Sequence, residues 1–289
     1  MKRIAESELI LNDDKSIFHL HITPEQLSDK IILVGDPGRV KLAASFLDSI
    51  ECEVESREFR TTTGIYKGKR ISVISTGIGT DNIDIVMNEL DALVNVDLDT
   101  RLPKAEHKTL EIIRVGTSGS LQVDIPIDSF LISEKSIGFD GLLNFYDKRN
   151  LISDLKFEES FTTFVNWNDL LAKPYVVDSS AELVDRIHTD KTIKGVTISA
   201  PGFYGPQGRI IRLNTIDNNL NNKIAEFRFE DYKITNYEME SSAIAGLSLL
   251  LGHKATTICA IIANRANGTS SPDYKKTIAE LLEYILNKI

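Results

Sequence analysis

The run Ile31-Ile32-Leu33-Val34-Gly35-Asp36-Pro37-Gly38-Arg39 decides the fold. Consecutive apolar residues that stop at a glycine turn read as a strand buried on both faces, the habit of strands in parallel sheets. A helical pattern follows from Arg39 to Leu47. Strand, glycine turn and helix in succession predict α/β architecture with ligands at the strand ends. The unit recurs outward from this point. Gly64-Ile65-Tyr66 and Arg70-Ile71-Ser72-Val73-Ile74 flank the turn Lys67-Gly68-Lys69 as a hairpin. The glycine-rich Thr76-Gly77-Ile78-Gly79-Thr80 leads into an amphipathic helix over 81–94, with Ile85, Leu90 and Leu93 among its apolar residues. Glu111-Ile112-Ile113-Arg114-Val115 is another strand, ending in a loop Gly116-Thr117-Ser118-Gly119. Further strands are expected at 130–132, 175–177, 195–198 and 255–263, and helices over 181–188, 241–251 and 273–289. The charged segment 95–107, interrupted by Pro103, reads as a surface excursion.

At 289 residues, 42% hydrophobic and 26% charged, the chain can bury a sizeable core, and residues 1–289 read as one domain. No apolar stretch reaches membrane-spanning length and the N-terminus shows no hydrophobic signal region, so a cytoplasmic location is expected. A formal net charge of −9 disfavours nucleic acid, whose phosphate backbone calls for a broad basic surface. Cys52 and Cys259 lie far apart and outside any Cys/His cluster; they read as buried apolar fillers, with no disulfide and no metal site. An acidic protein that holds a small anion must concentrate a few arginines in one pocket, so the setting of each arginine matters more than the total.

Gly35-Asp36-Pro37-Gly38-Arg39 closes a strand and opens a helix; it is either a plain Asp-Pro-Gly turn or an anion site made of backbone N–H groups, the helix dipole and Arg39. Arg114 sits in an otherwise apolar run, where a charge requires an anionic partner. Glu238 and Glu240 flank Met239 just before a helix, positioned to cap it or to accept hydrogen bonds from a vicinal diol. Gly202-Phe203-Tyr204-Gly205-Pro206-Gln207-Gly208-Arg209 is either a turn or a recognition loop. In the second reading the Gln207 amide donates and accepts, the Arg209 fork donates to carbonyls, and Phe203 offers a stacking face, a set suited to a flat heterocycle with an imide edge.

Together these motifs resemble the uridine phosphorylases of the nucleoside phosphorylase superfamily. The likeness covers most of the chain in the right order: Phe18-His19-Leu20, Gly35 to Arg39, Ser56-Arg57-Glu58-Phe59, Ser75 to Gly79, Arg114 to Gly119, Phe203 with Gln207-Gly208-Arg209, Asn236 to Ser241, and Asn264-Arg265. Each is ordinary alone; jointly they are specific. The resemblance implies a three-layer α/β/α sandwich around a mixed, strongly curved central sheet, with sites shared between paired subunits. It implies that phosphate is held by the Gly35 backbone, Arg39, Arg114 and Thr117, with Arg57 from the neighbouring subunit. Ribose is then held by Glu240, Met239 and Thr117 with the neighbour's His19, for which His21 is a nearby rival. The base goes to Phe203, Gln207, Arg209 and Arg265. The implied reaction converts uridine and phosphate to uracil and ribose 1-phosphate, with inorganic phosphate as co-substrate and neither metal nor redox cofactor. The smallest active unit would be a homodimer, with a hexamer as the larger alternative.

The chain departs from the family pattern in places. Gly208 stands where a larger polar residue is common, and Ser199-Ala200-Pro201-Gly202 replaces the usual approach to the loop. Asn82 stands where a small hydroxyl residue accompanies an interface cation near Glu58, so no such ion is expected. A purine-specific relative would more often carry an aspartate near Asn264-Arg265, a hydrolase needs no cluster of phosphate arginines, and a non-catalytic nucleoside-binding module is the third alternative.

Overall fold

The computed structural model describes residues 2–289. Strand β1 (Lys30–Val34) leads into helix α1 (Pro37–Ala44). Ile31, Ile32, Leu33 and Val34 are fully buried, each contributing about 1.5–3 kcal/mol of apolar burial. The helix starts before the position its apolar pattern indicated. Pro37 occupies the first turn, where its missing N–H has no cost, and the Asp36 carboxylate accepts from the Gly38 N–H at 2.8 Å.

Strands β2 (Ser49–Ser56), β3 (Phe59–Tyr66) and β4 (Lys69–Ser75) form an antiparallel meander, followed by α2 (Thr80–Asn95). The 95–107 excursion contains two short paired strands, β5 (Val96–Asp97) and β6 (Leu102–Pro103). The order continues with β7 (Glu111–Ser120), β8 (Phe130–Gly138), α3 (Leu155–Val165), β9 (Tyr175–Asp178), α4 (Ala181–Ile187) and β10 (Thr192–Ser199). It ends with α5 (Leu220–Glu226), β11 (Arg228–Phe229), β12 (Tyr232–Glu238), α6 (Ser241–Leu251), β13 (Lys254–Asn264), β14 (Thr269–Ser270) and α7 (Tyr274–Lys288).

Twelve strands make one sheet in the order β11-β12-β10-β8-β13-β7-β1-β4-β3-β2, with β9 beside β8 and β14 beside β13. β1 runs parallel to β4 and β7, whereas β13 runs antiparallel to β8, so the sheet is mixed. It curls until β12 meets β7 in a short antiparallel seam that sets Asn236 opposite Ser120 and Tyr237 opposite Gly119. On one face α1, α4 and α7 bury Val40, Leu183 and Leu281 with Ile32 and Val34; on the other α2 and α6 bury Leu90 and Ile244 with Ile31 and Leu33. Successive residues of β1 thus serve opposite layers, as the period of a strand requires. The three-layer arrangement around a curved mixed sheet is the one the resemblance implied. Among the described residues no helix is long and apolar enough to cross a membrane.

Three expectations are corrected. Gly116 to Gly119 is not a loop: β7 continues to Ser120 because β13 pairs with it throughout. Cys259 is buried, but Cys52 is only half-buried; neither forms a disulfide. Finally β2, β12, α3 and α5 have no counterpart in the sequence pattern. β2 is an edge strand that alternates only between exposed and half-buried residues and carries Glu51, Glu53 and Glu55 on its exposed positions, so its apolar signal is weak.

Candidate active site

A cavity of about 720 Å³ opens at the C-terminal ends of β1, β4, β7 and β12. It brings together Gly35, Arg39, Arg114, Thr117, Phe203, Gln207, Arg209, Met239 and Glu240, all predicted from sequence. His19, Arg57 and Arg265 do not line it.

Arg39 reaches the cavity from the first turn of α1, half-buried. Burial pushes its pKa down, and the nearby Arg114 guanidinium pushes it further. Repulsion between two cations with no carboxylate paired to Arg39 favours an added anion. The backbone contributes less than the sequence suggested, because the Gly38 N–H at the start of α1 is already taken by Asp36.

Arg114 projects from β7 and is 5% exposed. Its guanidinium lies over Gly116, where a Cβ would collide with it. The predicted need for an anionic partner is met, but by carboxylates of the same chain: Glu238 lies 3.1 Å away and Glu240 bonds the other terminal nitrogen. Burial alone would lower its pKa; Glu240 and Glu238 outweigh that and hold the charge. Among the described residues its buried Nε has no hydrogen-bond partner.

The two carboxylates divide the roles left open by sequence. Glu238 accepts from the Glu240 N–H (2.8 Å), the Ser241 N–H (3.0 Å) and the hydroxyls of Ser241 (2.8 Å) and Ser199 (2.6 Å), so it satisfies donors at the start of α6, whose N-cap position is Glu240 itself. Glu240 accepts from the Gly79 N–H at 2.7 Å and faces the cavity. Burial raises the Glu240 pKa, with Arg114 opposing. The donor that orients it comes from the glycine-rich loop after β4, where Gly79 has φ +100°, a conformation strained for any other residue. The Gly77 N–H donates to the Gly35 carbonyl at 3.0 Å and joins that loop to the turn after β1.

At the far end Gln207 is 3% exposed. The Arg209 guanidinium stacks 3.8 Å from the Phe203 ring centroid, donates to the Phe203 carbonyl at 2.6 Å and bonds the Gln207 side-chain oxygen. Arg265 packs over the Tyr237 ring at 5.5 Å, behind the cavity wall, and its buried Nη1 has no partner. Burial lowers the pKa of both arginines, and Arg265 adds to the lowering at Arg209. This end therefore also carries positive charge without a paired carboxylate.

His19 and Arg57 sit together elsewhere. Arg57 lies 5.6 Å from the Phe18 ring centroid, and His19 Nδ1 is 2.6 Å from Glu89. His21, the rival, pairs with Asp14 on the surface at 3.2 Å. Asn82 and Glu58 both crowd Gly77. Sequence reasoning missed Tyr237, Ser270, Ser271 and Tyr274 in the cavity wall; Tyr237 lay inside a quoted motif, whereas Ser270, Ser271 and Tyr274 carried no signal. Among the described residues Asp91, His107 and His253 have ligand atoms within 4.8 Å of one another. The Leu110 N–H donates to His253 Nδ1 at 3.2 Å, which leaves the ring proton on Nε2 and unfits that nitrogen as a ligand.

Residues 29–285 match the family described as the Phosphorylase superfamily. The chain belongs to the phosphorylase superfamily. Among its relatives, the uridine phosphorylase of Thermococcus kodakarensis is 28% identical over 265 residues, covering 92% of this chain and 83% of the relative. A purine nucleoside phosphorylase of DeoD type from Colwellia psychrerythraea is 26% identical over 274 residues, covering 94% and 98%. Among solved structures, a Trypanosoma brucei nucleoside phosphorylase described as showing uridine phosphorylase activity superposes with a TM-score of 0.83 at 27% identity, covering 97% of this chain and 98% of that one.

Proposed function

We propose that this phosphorylase-superfamily chain converts uridine and inorganic phosphate to uracil and ribose 1-phosphate. The observation that carries the reading is the alternation of charge along one cavity: Arg39 beside Arg114, then Glu240 and Glu238, then Arg209 with Arg265 behind it. Phosphorolysis presents the same alternation. A phosphate oxygen forms a bond to C1′ as the bond from C1′ to the base nitrogen breaks; the ribosyl group turns cationic and the bonding pair leaves with uracil. Charges fixed in advance at these places stabilise that state more than the ground state.

In this reading Arg39, Arg114, Thr117 and the Gly35 backbone hold phosphate, and Glu240 and Met239 hold ribose. Gln207 and Arg209 donate to the departing base, with Phe203 against its ring and Arg265 supporting. Positioning phosphate beneath C1′ supplies a near-attack geometry. The reaction so read uses phosphate as co-substrate and needs no cofactor.

A pyrimidine is favoured over the purine named for some relatives, because Asn264 is spent. It is 1% exposed and donates to the Gln122 carbonyl at 2.9 Å and the Ile125 carbonyl at 2.8 Å, so its own amide has no donor left for a purine nitrogen. The test is uracil release from uridine with and without phosphate, alongside inosine and adenosine. Phosphate-dependent release of uracil is expected; an equal rate without phosphate would reject phosphorolysis, and faster inosine turnover would reject the base assignment.

Residues 1–289 act here as one catalytic unit, since the sheet interleaves strands from both halves of the chain. The homodimer is proposed as the smallest active form, whether or not it closes into a hexamer: Arg57 and His19 lie off their own chain's cavity and are assigned to a neighbour's. Specific activity should fall on dilution as dimers separate; a constant value in monomer would refute the sharing.

A further inference from the structure

The geometry points to Asn221 as the positioning residue that fixes the base loop and ties it to the end of β12, just before the ribose carboxylate Glu240. Asn221 lies in the first turn of α5 and is half-buried. Its Nδ2 donates to the Gln207 carbonyl at 3.1 Å, and its Oδ1 accepts from the Tyr237 hydroxyl at 3.1 Å. Both partners line the cavity, and Tyr237 immediately precedes Glu238.

The loop needs such a tether. Residues 203–209 are otherwise held by bonds among themselves: Gln207 N–H to the Tyr204 carbonyl, Gly208 N–H to the Gly205 carbonyl, Arg209 N–H to the Tyr204 carbonyl, and the Arg209 guanidinium to Phe203 and Gln207. Among the described residues the bond from Asn221 is the one hydrogen bond that joins this stretch to the rest of the chain. Behind the loop lies a second cavity of about 440 Å³, walled by Trp167, Leu171, Pro206, Ile216 and Leu220, so packing against Pro206 is incomplete on that side.

The glycine at position 208 fits the same account. Gly208 has φ +69°, and a Cβ there would collide with the Asn221 amide. The space that a side chain at 208 would take is here filled by Asn221 from another element. A donor misplaced by about 1 Å loses on the order of 100-fold in rate, and it loses it on the side of the leaving group.

This inference rests on the uridine reading. The experiment measures Asn221→Ala and Asn221→Asp beside the wild type with uridine and 5-fluorouridine; the latter departs as a more acidic base and needs less help. For both variants kcat/KM for uridine should fall about 10- to 100-fold, the loss for 5-fluorouridine should be smaller, and the KM for phosphate should stay within about twofold. Aspartate keeps the acceptor for Tyr237 but cannot donate to the Gln207 carbonyl, so it should not rescue. Wild-type rates in either variant, or equal losses with both nucleosides accompanied by a raised phosphate KM, would overturn the assignment of Asn221. A wild type that releases no uracil would instead overturn the uridine reading. A crystal structure of Asn221→Ala gives an answer independent of turnover: an unmoved base loop would also sink the assignment.

Discussion

Two charged positions of β7, Glu111 and Arg114, use charge in opposite ways. At its start Glu111 is held by Lys30 at 2.8 Å and by Arg186 at 2.8 and 3.0 Å, and Arg186 also meets Glu182. Arg186 and Lys30 push the Glu111 carboxyl down to about 2. Three positions on, about 10 Å at the rise of a strand, Arg114 joins a set that is not fully paired: among the described residues Arg39 forms no ion pair, while burial raises the pKa of Glu240. A cluster that serves only the fold satisfies its own charges. A cluster that serves a ligand leaves charge unmet where the ligand's opposite charge will lie.

The largest effect that sharpens this contrast is expected at Arg114. Arg114→Ala leaves two buried carboxylates uncompensated and should cost about 3–5 kcal/mol of stability together with at least ~10³-fold in uridine turnover. Arg39→Ala should lose ~10²–10³-fold in kcat/KM for phosphate while the melting temperature holds or rises, since it relieves repulsion. Denaturant melts and steady-state kinetics on both variants decide; equal destabilisation by the two would erase the distinction.

Acid separates the two carboxylates more gently. Ionised Glu240 is the form that faces a ribosyl cation, so the acid limb of kcat/KM should lie above the ordinary glutamate value of about 4.3, and Glu240→Gln should remove that limb with most of the activity. Glu111 behaves in the reverse sense. Its folded pKa of about 2 lies below the unfolded value, so its stabilisation is complete above about pH 4.3 and is lost as pH falls toward the folded value. Glu111→Gln should cost only about 1 kcal/mol at neutral pH, nothing at the acid extreme, and leave turnover unchanged. A shifted pH–rate profile in that variant would break the comparison.

Much of this was legible in the amino-acid order because β1, α6 and α7 carry strong local patterns, and α6 begins and ends where its apolar run does. That Arg39, Arg114, Gln207 and Arg209 are candidates for one site was also readable, since they occupy short stretches with distinctive neighbours, and the cavity brings them together. Pairing across the chain was not. Nothing local to Arg114 shows that Glu238 and Glu240 lie against it, because that depends on β12 closing onto β7. The extension of β7 through Gly116 to Ser120 was hidden for the same reason: glycines and hydroxyls suggest a loop until β13 pairs beside them. Asn221 gave no signal, as α5 is short and polar and its role lies in a carbonyl remote in sequence.

The seam between β12 and β7 has a mechanical consequence. It is main-chain joinery, and it sets the span between the groups proposed to meet the anion and those proposed to meet the sugar. Substitution of side chains can retune what is grasped at either end of that span, but the gauge itself is built into the backbone.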